Sequence, residues 1–229
     1  MVPQCVAPPG PSPCGTRQGV AAGAVGAMTS GPSEMQVLED GGRLELWRSW
    51  LGAPEAASLF VLLQRWLPWE QKDIRIKGRT VAQPRLTAWI GDPGVVYTYS
   101  GLTHTPHPWP QALFDLRRRL CADTGYDFNS VLANLYRSER DAMGWHADQE
   151  KELGKDPVIA SVSLGATRRF LLQHRKRKEL RLALALEQGS LLLMGGTTQH
   201  FWKHAVPREQ VATAARINLT FRQVFIPAS

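Results

Sequence analysis

The sequence predicts an α+β chain that is mainly β: a double-sheet jelly roll (a double-stranded β-helix) with N-terminal helices packed outside one sheet. Three observations carry this. Two stretches before residue 126 repeat apolar residues at helical spacing. From Asn129 onward, strand-like runs follow one another at short intervals. Within those runs the alternation is clean, as in Leu182, Leu184 and Leu186. With 229 residues and 43% hydrophobic content the chain can bury one sizeable core, so a single domain is expected.

Taken in order, residues 1–34 stand apart. They are rich in Pro, Gly, Ala and Ser, contain no aromatic residue and show no periodicity. They read as a disordered arm, or as an upstream extension of a chain that starts at Met28 or Met35. The VAAGAVGA run is too short and too poor in basic flanks for a secretory signal. The domain is expected over 35–229, beginning with a helix whose first turn holds Pro54 and whose apolar stripe is Leu59, Leu63 and Trp66. A hairpin (DIRIKGRTV) and two strands (PRLTAWIGD and VVYTYSG) follow. A second helix runs from about Pro110 to Gly125, with Leu113, Leu116 and Leu120 as its stripe and Arg117, Arg118 and Arg119 on its solvated side. Eight strands come next, at NSVLANLY, GWHAD, VIASVSLG, RRFLLQH, RLALALE, GSLLLMG, FWKHAV and RINLTFRQVFI. Arg168 to Arg181 holds seven Lys/Arg and reads as a hairpin with a charged, solvated tip.

The net charge of +7 and a pI near 9.7 favour a polyanionic partner such as nucleic acid. The three cysteines (Cys5, Cys14 and Cys121) form neither a metal spacing nor a disulfide framework, which suits a reducing compartment. No apolar run approaches the length of a membrane-spanning helix, so a soluble monomer is expected, in the cytoplasm and, in a eukaryotic cell, the nucleus.

The chemistry is concentrated in NLYRSERDAMGWHAD. His146 and Asp148 are two residues apart, and on an extended strand that spacing puts an imidazole and a carboxylate on one face. Two imidazoles and one carboxylate on one face of an octahedron leave three positions open, the arrangement of non-haem Fe(II) oxygenases. The third ligand must come from a distant histidine. His204 is the best candidate and His200 its rival, and chemistry alone does not separate them. A second pattern lies near the C-terminus, where Arg216, Asn218, Thr220 and Arg222 alternate with Ile217, Leu219 and Phe221. Two separated guanidiniums suit a cosubstrate with two carboxylate ends, because Arg forks grip carboxylates bidentately. The bland alternative is a solvated strand face.

These motifs, with N-x-Y ahead of the metal pair and with PRLTAWIGD, YTYSG and IASVSLGATRRF, resemble the AlkB-type 2-oxoglutarate- and Fe(II)-dependent dioxygenases that repair alkylated bases. The resemblance spans roughly Pro84 to Val224 and is nearest to the homologue class favouring single-stranded DNA and RNA. It implies Fe(II) held by His146, Asp148 and His204, which lies twelve residues before Arg216 as in the family. It implies 2-oxoglutarate held at its distal carboxylate by Asn134, Tyr136 and Arg216. The chelating end would fall to Asn218 and Arg222, with Thr220 in support, and O2 is the third reactant. In the substrate pocket it implies Tyr97 or Tyr99 stacked on a flipped base, Arg85 on the wall and Glu150 accepting from an exocyclic amine. Gln149 departs from the acid many relatives carry there. The implied activity is demethylation of 1-methyladenine and 3-methylcytosine in DNA or RNA. The competing expectations are an oxygenase acting on an RNA modification or a protein side chain, and a non-catalytic single-strand-binding module.

Overall fold

The computed structural model describes residues 31–76, 78–95, 97–99 and 102–225, with the backbone alone at 74–76, 79, 97–99 and 102–104. In chain order the elements are β1 (Glu34–Val37), β2 (Gly42–Trp47), α1 (Ala53–Trp66), β3 (Asp73–Ile76), β4 (Arg79–Ala82), β5 (Leu86–Gly91), β6 (Tyr97–Tyr99) and β7 (Leu102–His104). Then come α2 (Gln111–Thr124), β8 (Ser130–Tyr136), β9 (Met143–His146), β10 (Ile159–Gly165), β11 (Arg168–His174) and β12 (Arg181–Leu186). The chain closes with β13 (Leu191–Gly196), the one-turn α3 (Thr198–Phe201), β14 (Trp202–Val206) and β15 (Arg216–Arg222). Most of the segment expected to be a disordered arm lies outside the described residues.

Seven strands form a major sheet in the order β1-β2-β13-β10-β15-β8-β5, and four form a minor sheet, β12-β11-β14-β9. All pairings within them are antiparallel. β3 pairs with β4 and β6 with β7 as separate two-stranded ribbons. The described chain enters through β1 and β2, and the helix expected at its start comes third. β2 is a strand because RLELW alternates and packs at the edge of β13.

The two faces of the major sheet have different partners. Ala160, Val162 and Leu164 of β10 and Ile217, Leu219 and Phe221 of β15 share one cluster with Leu63 of α1 and Leu113, Leu116 and Leu120 of α2. The opposite face contributes Ile159, Leu192 and Met194 to a second cluster, with Phe170, Leu172, Trp202 and Val206 of the minor sheet. Strand alternation sorts the residues between the two clusters. α2 ends at Gly125, whose φ of 75° is the left-handed conformation that glycine adopts without steric cost. α1 departs from expectation at Trp66, which is 67% exposed, while the next residue, Leu67, takes the buried place. The helix stops there because Leu67 precedes Pro68 and turns extended. Arg117 and Arg119 also depart from a solvated face. Arg117 forks onto Asp92 at 2.6 and 3.0 Å, and Arg119 reaches the Trp50 carbonyl at 2.7 Å.

Candidate metal centre

β9 and β14 are antiparallel neighbours in the minor sheet, and their register sets His146 directly opposite His204. The two rings lie with centroids 4.2 Å apart. Asp148 is two residues beyond the end of β9, outside the strand expected from the sequence, yet it closes the group. One ligand atom from each of His146, Asp148 and His204 lies within 4.8 Å of the others. His200, the rival ligand, is outside this group. It is half exposed, and its Nε2 pairs with Asp156 Oδ1 at 2.8 Å.

The protonation states suit a divalent cation. His146 Nδ1 is 2.8 Å from the Gly144 carbonyl, which can only accept, so Nδ1 carries a proton and Nε2 is the ring nitrogen left to serve as a ligand. Burial, reinforced by His146 and Arg222 and opposed by Asp148, pushes the His204 pKa down to about 3, so this imidazole is neutral. Burial would raise the Asp148 carboxyl. The Arg222 guanidinium, with His204 and His146, outweighs that and holds it below the usual carboxylate range. Arg222 Nη2 donates to Asp148 Oδ1 at 2.6 Å, leaving Oδ2 at 3.9 Å from His204 Nε2. Two imidazoles and one oriented carboxylate are the donor set for Fe(II).

Across the cavity, the inner face of the major sheet is polar where β8, β15 and β10 adjoin. Asn218 faces Asn134 of β8 and Ser163 of β10, and Thr220 faces Ser161. Asn218 Nδ2 donates to Ser161 Oγ at 2.7 Å and Thr220 Oγ1 to Asn218 Oδ1 at 2.9 Å. Arg216 is 1% exposed and lies 5.5 Å over the Tyr136 ring. Its Nη2 donates to Ser163 Oγ at 2.9 Å, but Nε and Nη1 are buried with no acceptor among the described residues. Burial, with Arg168 adding to it, lowers the Arg216 pKa to about 10, so the group is still a cation at neutral pH. A buried cation with unused donors costs several kcal/mol unless an anion meets it. The fit to a cosubstrate carboxylate rests on that unmet demand.

The cavity between the sheets holds about 320 Å³ and is lined by His146, Asp148, His204, Asn134, Tyr136, Asn218, Thr220, Arg222, Arg85 and Glu150 among others. Arg85 is buried, and its Nε donates to Asn134 Oδ1 at 2.8 Å, which ties the expected substrate wall to the cosubstrate side. Glu150 Oε2 is buried on the wall with no donor among the described residues. Tyr97 and Tyr99 lie on β6, paired with β7, and their side chains are outside the described residues. Sequence reasoning missed four contributors. Ser161 and Ser163 alternate in β10 and were readable as an inward polar pair. Arg168, 1% exposed, clamps the carbonyls of Asp141 and Pro207 at 2.8 and 2.6 Å. Gln199, 0% exposed, accepts from the Asp148 N–H at 3.0 Å. Neither Arg168 nor Gln199 carries a local signal.

Residues 43–222 match the family model of the 2OG-Fe(II) oxygenase superfamily. An alpha-ketoglutarate-dependent dioxygenase alkB homolog 3 from Bos taurus is 44% identical over 180 residues, 75% of this chain and 62% of that protein. The chain thus spans less than two thirds of that relative's length. A DNA oxidative demethylase ALKBH2 from Arabidopsis thaliana is 33% identical over 225 residues, covering 86% of this chain and 71% of the relative. The solved structure titled "The structure of OsALKBH1" superposes with a TM-score of 0.54 at 20% identity, over 83% of this chain and all of that one, and shares the fold.

Proposed function

The chain belongs to the 2OG-Fe(II) oxygenase superfamily, in its AlkB-type branch, and from that premise we propose that it is an oxidative demethylase of N-alkylated bases. The substrates are 1-methyladenine and 3-methylcytosine in DNA, and in RNA, presented in single strands. The observation that carries this reading is the Arg216 guanidinium: buried behind the Tyr136 ring that lines the cavity, with Nε and Nη1 meeting no acceptor among the described residues.

His146, Asp148 and His204 hold the metal, and Arg222 fixes which Asp148 oxygen faces it. Arg216 takes the distal carboxylate of 2-oxoglutarate, with Asn134 and Tyr136 beside it. Asn218 and Arg222 take the other end, and Thr220 orients Asn218. When bound, Fe(II) with 2-oxoglutarate and O2 supplies the oxidising power to hydroxylate an N-methyl group, releasing succinate and CO2. The hydroxymethyl product then loses formaldehyde, leaving the plain base. Glu150 accepts from the base's exocyclic amine, and its charge favours a cationic alkylated ring. Arg85 fixes Asn134 and lines the same wall, and Tyr97 or Tyr99 provides the stacking surface. The two N-terminal helices back the major sheet and hold its inner face in register.

The net charge of +7 supports contacts with phosphates rather than with base sequence. Among the described residues no helix is long and apolar enough to cross a membrane. The protein works as a monomer in the cytoplasm and, in a eukaryotic cell, the nucleus. The test is formaldehyde release from a 3-methylcytosine oligonucleotide with iron and 2-oxoglutarate. Stoichiometric formaldehyde and succinate are expected. Turnover on peptides or unmodified RNA, with none on the alkylated strand, would overturn the substrate.

A further inference from the structure

Asp148 is the one ligand of the three outside a β-ladder. β9 ends at His146, so no ladder bond reaches the Asp148 N–H, and a buried N–H must find an acceptor. That acceptor is the side chain of a residue 51 positions away, Gln199 Oε1, at 3.0 Å. Gln199 is completely buried, and among the described residues its amide nitrogen meets only the Met194 sulfur, at 3.8 Å. A neutral amide kept this dry is costly, and its one strong bond goes to a metal ligand's main chain.

The turn that carries Gln199 is itself pinned from several sides. Thr198 Oγ1 donates to the Gly195 carbonyl at 2.6 Å and accepts from the Arg43 N–H at 3.0 Å. Thr197 Oγ1 donates to the Asp40 carbonyl, and Trp202 Nε1 donates to the Glu39 carbonyl at 3.1 Å. Gly196, at φ 58°, lets the chain enter this turn where a Cβ would run into the Gly41 carbonyl. α3 is therefore fixed against β2 and β13 before β14 delivers His204. One short segment sets both the third ligand and the support of the second.

We propose that Gln199 is a positioning residue for the metal centre: it holds the Asp148 backbone so that Arg222 can engage Oδ1 while Oδ2 faces the two imidazoles. This rests on His146, Asp148 and His204 being the metal ligands. Outer partners of this kind change metal affinity about 10- to 100-fold.

The test is Co(II) binding to the metal-free full-length protein without 2-oxoglutarate, followed by d–d absorption and by calorimetric titration. Gln199→Leu keeps the volume and loses the acceptor, and it should bind Co(II) about 10- to 100-fold more weakly. Gln199→Glu keeps an acceptor at the same reach and should stay within a few-fold of wild type. Gln199→Asn is one methylene short and should resemble Gln199→Leu, and it carries the measurement if the leucine variant does not fold. Wild-type affinity in Gln199→Leu or Gln199→Asn overturns the inference. So does an equal loss in Gln199→Glu and Gln199→Asn, because packing alone would then explain it. Wild-type affinity in Asp148→Ala would instead overturn the ligand assignment beneath it.

Discussion

The two faces of β15 put stability and chemistry on one strand. Ile217, Leu219 and Phe221 point toward α1 and α2 and are completely buried in an apolar cluster. Arg216, Asn218 and Thr220 point toward the minor sheet and are almost as deeply buried, yet every one of them is polar. Burial alone therefore does not identify a core. On the helix side Ile217, Leu219 and Phe221 pack into an apolar cluster and carry no polar side-chain atom to satisfy. On the cavity side the hydrogen-bond accounts close for Asn218 and Thr220 but stay open at Arg216. The difference teaches where a ligand belongs: at the buried polar group that the fold leaves unsatisfied.

The comparison breaks most visibly at the ligand carboxylate. Asp148→Ala should reduce succinate and formaldehyde production to background while the protein stays folded, because two histidines alone make a weak site. Circular dichroism checks the fold, and a near-wild-type rate of succinate formation would sink the assignment.

Substitutions on opposite faces of β15 should then separate cleanly. Leu219→Ala leaves a cavity under the helices and should cost about 2–5 kcal/mol of unfolding free energy, with the Michaelis constant for 2-oxoglutarate unchanged. Arg216→Lys keeps the charge but replaces a planar fork with a point donor. It should raise that Michaelis constant about ten- to a hundredfold, the equivalent of roughly 1.4–2.8 kcal/mol, and leave the constant for the oligonucleotide alone. Denaturant titration and cosubstrate titration on both variants decide the matter. An unchanged 2-oxoglutarate constant in Arg216→Lys would return the arginine face to a purely structural role.

The inner face should also show in the acid stability of the metal-free protein. His204 has a folded pKa near 3 against an ordinary value of 6.5, so as pH falls the unfolded chain takes up the proton first. Its contribution is complete above about pH 6.5 and declines toward pH 3, by up to about 1.4 kcal/mol per unit. Asp148, also shifted down, acts in the same direction: its stabilisation is present above the ordinary carboxylate range and is lost as pH falls through its folded value. Unfolding free energies at several pH values should fall less steeply in His204→Gln than in wild type. Parallel curves would mean that His204 takes up its proton while still folded.

Which of these features the sequence reveals depends on how local their cause is. β12 and α2 were legible because period and burial agree within a few residues, and β15 because its alternation separates apolar from polar side chains even though both faces are buried. The proximity of His146 and Asp148 was legible for a reason that is partly wrong. The His-x-Asp spacing suggested one strand face, but the strand ends at His146 and a distant glutamine holds Asp148 in place. Trp66 was misplaced because Leu67 fits the same stripe and only packing chooses between them. Gln199 and Arg168 could not be read at all. Their burial comes from pairings dozens of residues away, and nothing in TTQHFW or ATRRF distinguishes them from surface residues.

The smallest expected effect settles the choice between two histidines that chemistry alone left open. His200 sits on α3, four residues before His204, and its Nε2 pairs with Asp156 across a half-exposed surface. Exposed pairs of this kind contribute about 0.2–1 kcal/mol, and Asp156 already sits at a positive φ of 52° that the pairing helps hold. His200→Ala should therefore cost no more than about 1 kcal/mol and bind Co(II) as wild type does. His204→Ala removes a ligand that is 5% exposed and directly opposite His146, and it should lose the metal. The two residues share a segment and a side-chain type, so a general disturbance of α3 and β14 would affect both variants alike. Equal metal loss in the two would mean that the segment's packing, rather than the His204 imidazole, is what the site requires. A loss confined to His204→Ala leaves the register of β14 against β9 as the feature that selects the third ligand.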